Sequence, residues 1–205
     1  TVSDGELTDS QVVTVTINPV NDAPVATDGI TGTTSEGSAV SIQLLASDVD
    51  EDDLTYTVSS DASHGSVIIS GSYATYTPDE FYNGSDTFTF NVDDGAGGSD
   101  QSEIGITIDA VNDAPVLATL SNVSFDEDGS DILELSASDI DEDDLTYLVT
   151  GGTDILSVLD GTTITFSAPT DYNGSENFTV TVSDGELTDS QVVTVTINPV
   201  NDAPV

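Results

Sequence analysis

The sequence predicts an all-β protein that contains two similar β-sandwich domains. The segment NDAPV occurs at Asn21, Asn112 and Asn201, so the chain repeats at spacings of 91 and 89 residues. Either spacing suits one β-sandwich. Within a repeat, apolar and polar residues alternate as they do in half-buried strands, most clearly over Thr87–Val92. No segment has a convincing helical period.

Candidate strands occur throughout the first repeat. They are Ile30–Thr34, Ala39–Ala46, Leu54–Ser59, Gly65–Ser70, Tyr73–Thr77, Thr87–Val92 and Glu103–Asp109. The alternation of Phe88, Phe90 and Val92 returns at Phe178, Val180 and Val182, at Val193, Val195 and Ile197, and near the start at Val13, Val15 and Ile17. Turn signals such as Asn83-Gly84 separate these segments. About seven short strands per repeat predict tandem immunoglobulin-like sandwiches.

The repeat spacing predicts three segments. Residues 26–115 and 116–205 each form one whole repeat. Residues 1–25 are identical to residues 181–205, so we interpret them as the last hairpin and linker of a preceding repeat. Identical copies indicate a tandem array in which the two types of repeat alternate.

The charge balance is extreme, with 39 Asp and Glu residues, no Lys or Arg, and a net charge of −39 over 205 residues. Phosphate recognition requires Lys or Arg, so this composition excludes nucleic acid as a partner and argues against direct contact with an anionic membrane. Because 36% of the residues are hydrophobic, we expect a folded chain. Clustered carboxylates then need a cation from solution, and Ca²⁺ is the hard cation that prefers oxygen ligands.

Two acidic loops carry the sharpest motif. The first reads ASDVDEDDLTY and contains Asp48, Asp50 and Asp52; the second reads ASDIDEDDLTY and contains Asp139, Asp141 and Asp143. Carboxylates at alternate loop positions can converge on one Ca²⁺ ion. An EF-hand is excluded, because Asp53 occupies the position of the required glycine and a strand follows. A solvated acidic turn is the alternative interpretation.

Further oxygen-bearing residues recur at equivalent positions of the repeats. The Asn-Asp pairs of the NDAP segments are Asn21 and Asp22, Asn112 and Asp113, and Asn201 and Asp202. Asp94 and Asp184 each follow a strand, and Glu36 and Glu127 precede the second strand of their repeats. Each of these is by itself a turn signal. Together with the acidic loops, they predict metal ligands drawn from both sides of each junction between repeats.

These motifs together resemble bacterial cadherin-like repeats. The similarity rests on the Asp-x-Asp-x-Asp loop before Leu-Thr-Tyr, on Tyr82-Asn83-Gly84, on the Val-x-Asp-Gly loop and on the closing Asn-Asp-Ala-Pro. Such repeats fill the extender regions of calcium-dependent RTX-type surface adhesins. The resemblance implies a cadherin-like sandwich, Ca²⁺ at the junctions, type I secretion and an extracellular location at the bacterial cell surface.

The resemblance also implies a role for individual residues. Asp139, Asp141 and Asp184 match loop ligands that face the preceding linker, and Asn112 and Asp113 match linker ligands; Glu36 matches the glutamate that reaches toward the linker after its own repeat. Cadherin linkers carry Asp and Asn where this chain has Ala110 and Ala114, and the equivalent Pro199 and Ala203. These departures affect how many ions a junction holds.

The sequence therefore predicts a calcium-rigidified extender whose partners are its neighbouring repeats, joined through calcium-bridged linkers. One alternative is a self-assembling filament or surface-layer component, with homotypic or head-to-tail contacts through residues 1–20. Another is a glycan- or protein-binding sandwich, although the chain has no Trp. We predict no enzymatic activity, because the chain lacks Cys, Lys and Arg and its single histidine, His64, has only Ser63 and Gly65 beside it.

Overall fold

The computed structural model describes residues 1–201, and these residues form twenty β-strands and no helix. The all-β expectation is thereby confirmed. The chain divides into two compact units, Thr1–Ala110 and Val111–Val205, which we call unit 1 and unit 2. Each unit has its own hydrophobic core.

Unit 1 contains two short strands near its start and a sandwich after them. Its strands are β1 (Val2–Ser3), β2 (Thr8–Asp9), β3 (Val25–Ala26), β4 (Thr31–Ser35), β5 (Val40–Gln43), β6 (Ala46–Ser47), β7 (Thr55–Ser60), β8 (Gly65–Ser70), β9 (Tyr73–Pro78), β10 (Gly84–Asp93) and β11 (Ser99–Asp109). One sheet has the order β4-β11-β10-β7 and the other has the order β5-β9-β8. The small sheets β3-β6 and β1-β2 complete the unit.

Unit 2 repeats this arrangement. Its strands are β12 (Val116–Leu117), β13 (Val123–Asp126), β14 (Ser130–Glu134), β15 (Ala137–Ser138), β16 (Thr146–Gly151), β17 (Leu156–Asp160), β18 (Thr163–Ser167), β19 (Gly174–Ser183) and β20 (Thr188–Asn198). Its sheets have the orders β13-β20-β19-β16, β14-β18-β17 and β12-β15. In both units an early strand pairs in parallel with the last one, β4 with β11 and β13 with β20.

The period-2 alternation places one face of each long strand in the core. Phe88, Phe90 and Val92 of β10 are buried, and they pack in the same cluster as Tyr76 of β9 and Ile42 of β5. Because β5 and β9 belong to the other sheet, this contact closes the sandwich. The alternating pattern in the sequence therefore reports the inner face of each sheet.

One predicted strand is split in the structure. Ala39–Ala46 is predicted as a single strand, but Val40–Gln43 pairs with β9 while Ala46–Ser47 pairs with β3. Leu44, between these two strands, is 1% exposed, and its N–H donates to the carbonyl of Ser72. The segment thus changes sheets around a buried leucine, so its continuous apolar character does not mark one strand.

The same sequence has two different structures in the two places where it occurs. Val193, Val195 and Ile197 are 0, 0 and 2% exposed, whereas the identical Val13, Val15 and Ile17 are 79, 79 and 89% exposed. In unit 2 these residues lie in β20, between β13 and β19. Residues 10–24, in the first copy, form no strand, because they pair with no strand equivalent to β13 or β19. The alternation near the start of the chain therefore does not mark a strand here.

A buried carboxylate anchors a loop of unit 1. Asp86 is 6% exposed. It accepts hydrogen bonds from the N–H groups of Ser63, His64 and Thr87 and from the Tyr76 hydroxyl, at distances of 2.8–3.0 Å. Burial acts to raise the pKa of Asp86, but the N–H donors and the hydroxyl outweigh burial and lower the pKa below its usual 3.8.

Unit 2 anchors the corresponding loop with a longer side chain. Glu176 accepts hydrogen bonds from the N–H groups of Thr153, Asp154 and Ile155, at 2.8–3.1 Å. Burial again acts to raise the pKa, and the three N–H donors outweigh it and lower the pKa of Glu176 below its usual 4.5. Both anchors therefore favour the ionised carboxylate in the folded state.

This preference predicts acid sensitivity. A lowered folded-state pKa contributes stability that is complete above the ordinary pKa values of 3.8 and 4.5, and that is lost as the pH falls through the lowered values. We expect carboxyl NMR titration to give pKa values below the ordinary ones for Asp86 and Glu176. The difference in free energy of unfolding between the wild-type chain and an Asp86→Ala variant should also narrow between about pH 5 and pH 2. Ordinary titration of both groups would contradict this prediction.

Candidate metal-binding loops

Each unit brings together the three aspartates of its acidic loop. Carboxylate oxygens of Asp48, Asp50 and Asp52 lie within 4.8 Å of one another. The loop begins directly after β6, and Glu51 has a positive φ of 62°. A non-glycine residue in this left-handed region costs about 1 kcal/mol. The loop therefore keeps a strained residue next to its converging carboxylates.

Unit 2 has the same loop geometry. Oxygens of Asp139, Asp141 and Asp143 lie within 4.8 Å of one another, and Glu142 has a φ of 62°. The same backbone conformation therefore recurs in two loops whose sequences differ only at Val49 and Ile140.

The first aspartate of each loop has one satisfied oxygen and one unsatisfied oxygen. Asp48 Oδ1 accepts a hydrogen bond from the Asp50 N–H at 2.8 Å, and Asp139 Oδ1 accepts one from the Asp141 N–H at 2.9 Å. The Oδ2 atoms of Asp48 and Asp139 are buried and accept no hydrogen bond from any residue within 1–201. An unpaired buried carboxylate oxygen is costly, and a bound cation would remove that cost.

The Asn-Asp linker residues attach to these loops in the same way in both units. In unit 1, Asn21 Nδ2 donates to Asp94 Oδ2 at 2.8 Å and the Asp22 N–H donates to Asp50 Oδ2 at 2.8 Å. A side chain at Gly98 would meet the Asp94 carboxylate and, at 2.6 Å, the Cα atom of Ala23. Glycine at position 98 therefore lets the linker pack closely against the loop after β10.

The linker of unit 2 makes the equivalent contacts. Asn112 Nδ2 donates to Asp184 Oδ2 at 3.0 Å, and the Asp113 N–H donates to Asp141 Oδ2 at 2.8 Å. Each unit thus gathers the linker pair, the acidic loop and the Asp-Gly loop into one place. The predicted ligands that meet in this way are Asn21, Asp22, Asp48, Asp50, Asp52 and Asp94 in unit 1, and Asn112, Asp113, Asp139, Asp141, Asp143 and Asp184 in unit 2.

The electrostatics of the loops reflect this crowding. Burial, and then repulsion from Asp48 and Asp50, raises the pKa of Asp52. Burial and the neighbouring carboxylates Asp139 and Asp141 likewise raise the pKa of Asp143. The third aspartate of each loop therefore resists ionisation, and a nearby divalent cation would favour its ionised form.

The aspartates of the two Asp-Gly loops, Asp94 and Asp184, have pKa values that shift in the opposite direction. The Asn21 amide, partly opposed by burial, lowers the pKa of Asp94, and the Asn112 amide does the same for Asp184. In unit 1 a cavity of about 410 Å³ opens beside the acidic loop, lined by Pro19, Val20, Asn21, Asp50 and Asp52. Two carboxylate side chains thus border a space on the surface of unit 1.

The structure places the two predicted glutamates away from the acidic loops of their own units. The N–H of Glu36 donates to the carbonyl of Asp109 at 3.0 Å, at the end of β11, whereas the Asp94 loop precedes the start of β11. Glu127 is similarly placed: its N–H donates to the Asn198 carbonyl at the end of β20, and its Oε1 atom accepts from the Val200 N–H. Both glutamates are 8% exposed, and they stay predictions as ligands. Asn201 is exposed, and Asp202 lies outside the described residues.

Two groups of residues near the loops are missed by the sequence prediction. Asp100 Oδ2 accepts from the Ala26 N–H at 2.8 Å, and Asp189 Oδ2 accepts from the Leu117 N–H at 2.9 Å. These carboxylates hold β3 and β12, the short strands that directly follow the linkers. Glu186 lies close enough to Asp143 to raise its pKa. The Asp-Gly-Glu order of residues 184–186 is the signal that could have marked it.

Two stretches of the sequence, residues 21–107 and 112–196, match the bacterial Ig domain family. The chain belongs to this family. It contains two tandem bacterial Ig domains, each beginning at the Asn of a linker pair. No curated protein matches the sequence significantly.

Solved structures show that these bacterial Ig domains have a cadherin-like fold. Drosophila N-cadherin EC1-4 has a TM-score of 0.60 and 18% identity, covering 88% of this chain and 50% of that one. Human Protocadherin-24 EC1-2 has a TM-score of 0.58 and 17% identity, covering 87% of this chain and 100% of that one. The predicted cadherin-like resemblance and sandwich fold are confirmed.

An endo-fucoidan hydrolase of glycoside hydrolase family 107 matches more loosely. Its TM-score is 0.43 at 22% identity, and the match covers 91% of this chain and 30% of that one. The chain thus spans less than a third of that enzyme's length. Within residues 1–201, no helix is long and apolar enough to cross a membrane.

Proposed function

We propose that the two bacterial Ig domains are calcium-binding, non-catalytic extender modules of a large bacterial cell-surface adhesin. One observation carries this proposal. In each unit an Asn-Asp linker is attached to a cluster of three aspartates whose first member has a buried oxygen without a hydrogen-bond partner among the described residues. The same arrangement occurs twice, which is unexpected for a solvated acidic turn.

Calcium suits this arrangement because of its charge and its ligand preference. The chain has 39 carboxylate side chains and no Lys or Arg, so no permanently charged basic side chain can compensate the clusters. Ca²⁺ takes several oxygen ligands and tolerates irregular geometry. The oxygens of Asp48, Asp50 and Asp52 would hold the ion in unit 1, and those of Asp139, Asp141 and Asp143 would hold it in unit 2. A bound ion would supply the missing positive charge and satisfy the buried Oδ2 atoms.

The residues of the chain fix the linker on which this function depends. The linker N–H groups of Asp22 and Asp113 donate to the second aspartate of each loop. Neutralising the loop charge removes the repulsion that would open it, and so stabilises these hydrogen bonds. Each linker then has one orientation on the unit that follows it. A row of such modules becomes a stiff spacer in calcium-rich surroundings and stays flexible where calcium is scarce.

Calcium removal provides the test. At a free concentration of 100 times the dissociation constant, one site adds about 2.7 kcal/mol to the free energy of unfolding. For a domain of this size we expect the midpoint of thermal unfolding to rise by about 10 °C or more with calcium. Small-angle scattering should show a narrower distribution of lengths under the same conditions. Magnesium at equal ionic strength is the control for general screening.

A variant separates binding at the loops from screening of the whole chain. Asp139→Asn with Asp141→Asn should remove the calcium response of unit 2 and leave that of unit 1. Asp131→Asn with Asp160→Asn removes the same charge from exposed positions in β14 and β17 and should leave both responses unchanged. Equal melting with calcium and with chelator would overturn the proposed function.

A further inference from the structure

The loop between β9 and β10 presents an aromatic side chain that the fold of unit 1 does not require. Phe81 has a positive φ of 60° and is 45% exposed. A bulky side chain is disfavoured in this left-handed region, whereas Asp tolerates it. Unit 2 has Asp171 at the equivalent position, with a φ of 59°. Phe81 is therefore favoured neither by its backbone conformation nor by burial, which points to a contact outside the unit.

Two more rings lie at the same loop. The imidazole of His64 and the ring of Tyr82 stack, with their centroids 4.0 Å apart and their planes at 5°. The His64 N–H donates to Asp86 Oδ2 at 2.9 Å. The Tyr82 hydroxyl donates to the Ser85 carbonyl at 2.9 Å. His64 is exposed and Tyr82 is partly buried, so part of this stack faces solvent in a fixed position.

Unit 2 keeps only one of the three rings, Tyr172. Asp154 stands in place of His64, since its N–H donates to the anchoring Glu176, as the His64 N–H donates to its own anchor. Unit 1 thus has aromatic rings at positions 64 and 81, where unit 2 has aspartates. The difference between the units is confined to side chains, because both loops have the same backbone conformation at position 81 or 171.

Carboxylates accompany the rings of unit 1. Asp79 and Glu80 directly precede Phe81 and are exposed, and Asp61 is exposed three positions before His64. The Asp79 N–H donates to the His64 carbonyl at 2.8 Å, so the two loop segments lie side by side. Aromatic faces carry a negative potential that attracts cations, and neighbouring carboxylates add to it. The chain has no Lys or Arg that could supply the cation.

We propose that residues 79–82 together with His64, which we call the aromatic loop of unit 1, bind an arginine side chain of another protein. Arginine fits because its planar guanidinium stacks on aromatic faces and pairs with carboxylates through two parallel hydrogen bonds. Lysine carries a compact, strongly hydrated ammonium group instead. A second copy of these two domains cannot supply the side chain, since they contain no Arg. The proposal goes beyond calcium binding and does not depend on it.

Side-chain NMR of the whole chain tests the proposal in about 0.15 M salt, which screens exposed charges. The probe is the blocked peptide acetyl-Gly-Arg-Gly-amide, and acetyl-Gly-Lys-Gly-amide is the comparison of equal charge. The arginine peptide should give saturable shifts of the ring signals of His64, Phe81 and Tyr82. The lysine peptide should need a several-fold higher concentration to give the same shifts.

Phe81→Asp separates recognition by the rings from attraction by charge. It installs the residue that unit 2 has at the same φ, so the loop should keep its conformation, and it adds a carboxylate. Loss of the ring should weaken arginine binding about threefold or more, whereas attraction by charge alone would strengthen it. Tyr73→Asp is the matched control, because Tyr73 is a 50% exposed ring at the other end of β9. It should leave the affinity unchanged.

Backbone amide spectra of each variant verify that it is folded. A preference for the arginine peptide that is lost in Phe81→Asp and kept in Tyr73→Asp supports the proposal. Four results would overturn it: no saturable shifts, equal affinity for the two peptides, tighter binding by Phe81→Asp, or the same loss in Tyr73→Asp. None of them would affect the proposed calcium function, which is tested separately.

Discussion

Replacing Ile197 by alanine should lower the free energy of unfolding of unit 2 by about 2–5 kcal/mol, whereas replacing Ile17 should change stability by almost nothing. Ile197 is 2% exposed and belongs to the core of unit 2, while Ile17 is 89% exposed. Truncating a buried isoleucine removes its apolar contacts and leaves a cavity, which surface truncation does not. The chain supplies its own control for this comparison, because the two isoleucines occupy the same position of an identical 25-residue segment.

Chemical denaturation followed by circular dichroism measures this difference, and hydrogen exchange assigns the loss to unit 2. Val195→Ala and Val15→Ala form a second matched pair, with 0 and 79% exposure. Similar effects at Ile17 and Ile197 would mean that residues 10–20 are buried in solution, contrary to their exposed position here.

Replacing Asp86 by alanine should destabilise unit 1 by about 3 kcal/mol or more. The substitution leaves the N–H groups of Ser63 and His64 without their acceptor, and it removes a charged partner of the Tyr76 hydroxyl. Tyr76 is fully buried, so its hydroxyl cannot turn to solvent. Without Asp86 the Tyr76 hydroxyl keeps only the carbonyl of His64, at 3.1 Å, as an acceptor, and hydrogen bonds to a charged group are worth more than neutral ones.

Asp61→Ala, at an exposed position of the same region, is the control and should change stability by less than about 0.5 kcal/mol. The double variant Asp86→Glu with Tyr76→Phe imitates unit 2, which has Glu176 at the position of Asp86 and Phe166 at the position of Tyr76. It should recover part of the stability that Asp86→Ala loses. Equal unfolding midpoints for Asp86→Ala and Asp61→Ala would exclude the anchoring role of Asp86.

Most strands follow from alternation, because the two-residue period of a strand requires one buried and one exposed face. Thr87–Val92 and Glu103–Asp109 lie within β10 and β11 for that reason. The prediction of Ala39–Ala46 as one strand is wrong, since Leu44 is buried at the place where the chain passes from one sheet to another. The alternation at Val13–Ile17 does not produce a strand, because strand formation depends on neighbouring strands that the local sequence does not encode.

The candidate site likewise has features that the sequence predicts and features that it does not. The spacing of Asp48, Asp50 and Asp52 is local information, so the sequence alone suffices to predict that these side chains meet. The hydrogen bond from Asn112 to Asp184 joins residues 72 positions apart. In the sequence, only the recurrence of the Asn-Asp and Asp-Gly motifs in both repeats indicates that these residues meet. The buried Oδ2 atom of Asp139 and the nearness of Glu186 to Asp143 depend on packing, and no sequence pattern specifies them.

The parallel pairing of β4 with β11 and of β13 with β20 has a mechanical consequence. In each sandwich one of these strands comes early and the other is the last, and their registers join Thr31–Ser35 to Gly105–Asp109 and Val123–Asp126 to Val195–Asn198. When opposite ends of a unit are pulled apart, parallel strands slide along each other. Their hydrogen bonds are then loaded in shear and must break together, whereas an antiparallel pair pulled from one end unzips bond by bond. The β4–β11 and β13–β20 pairs would therefore resist tension applied along the chain.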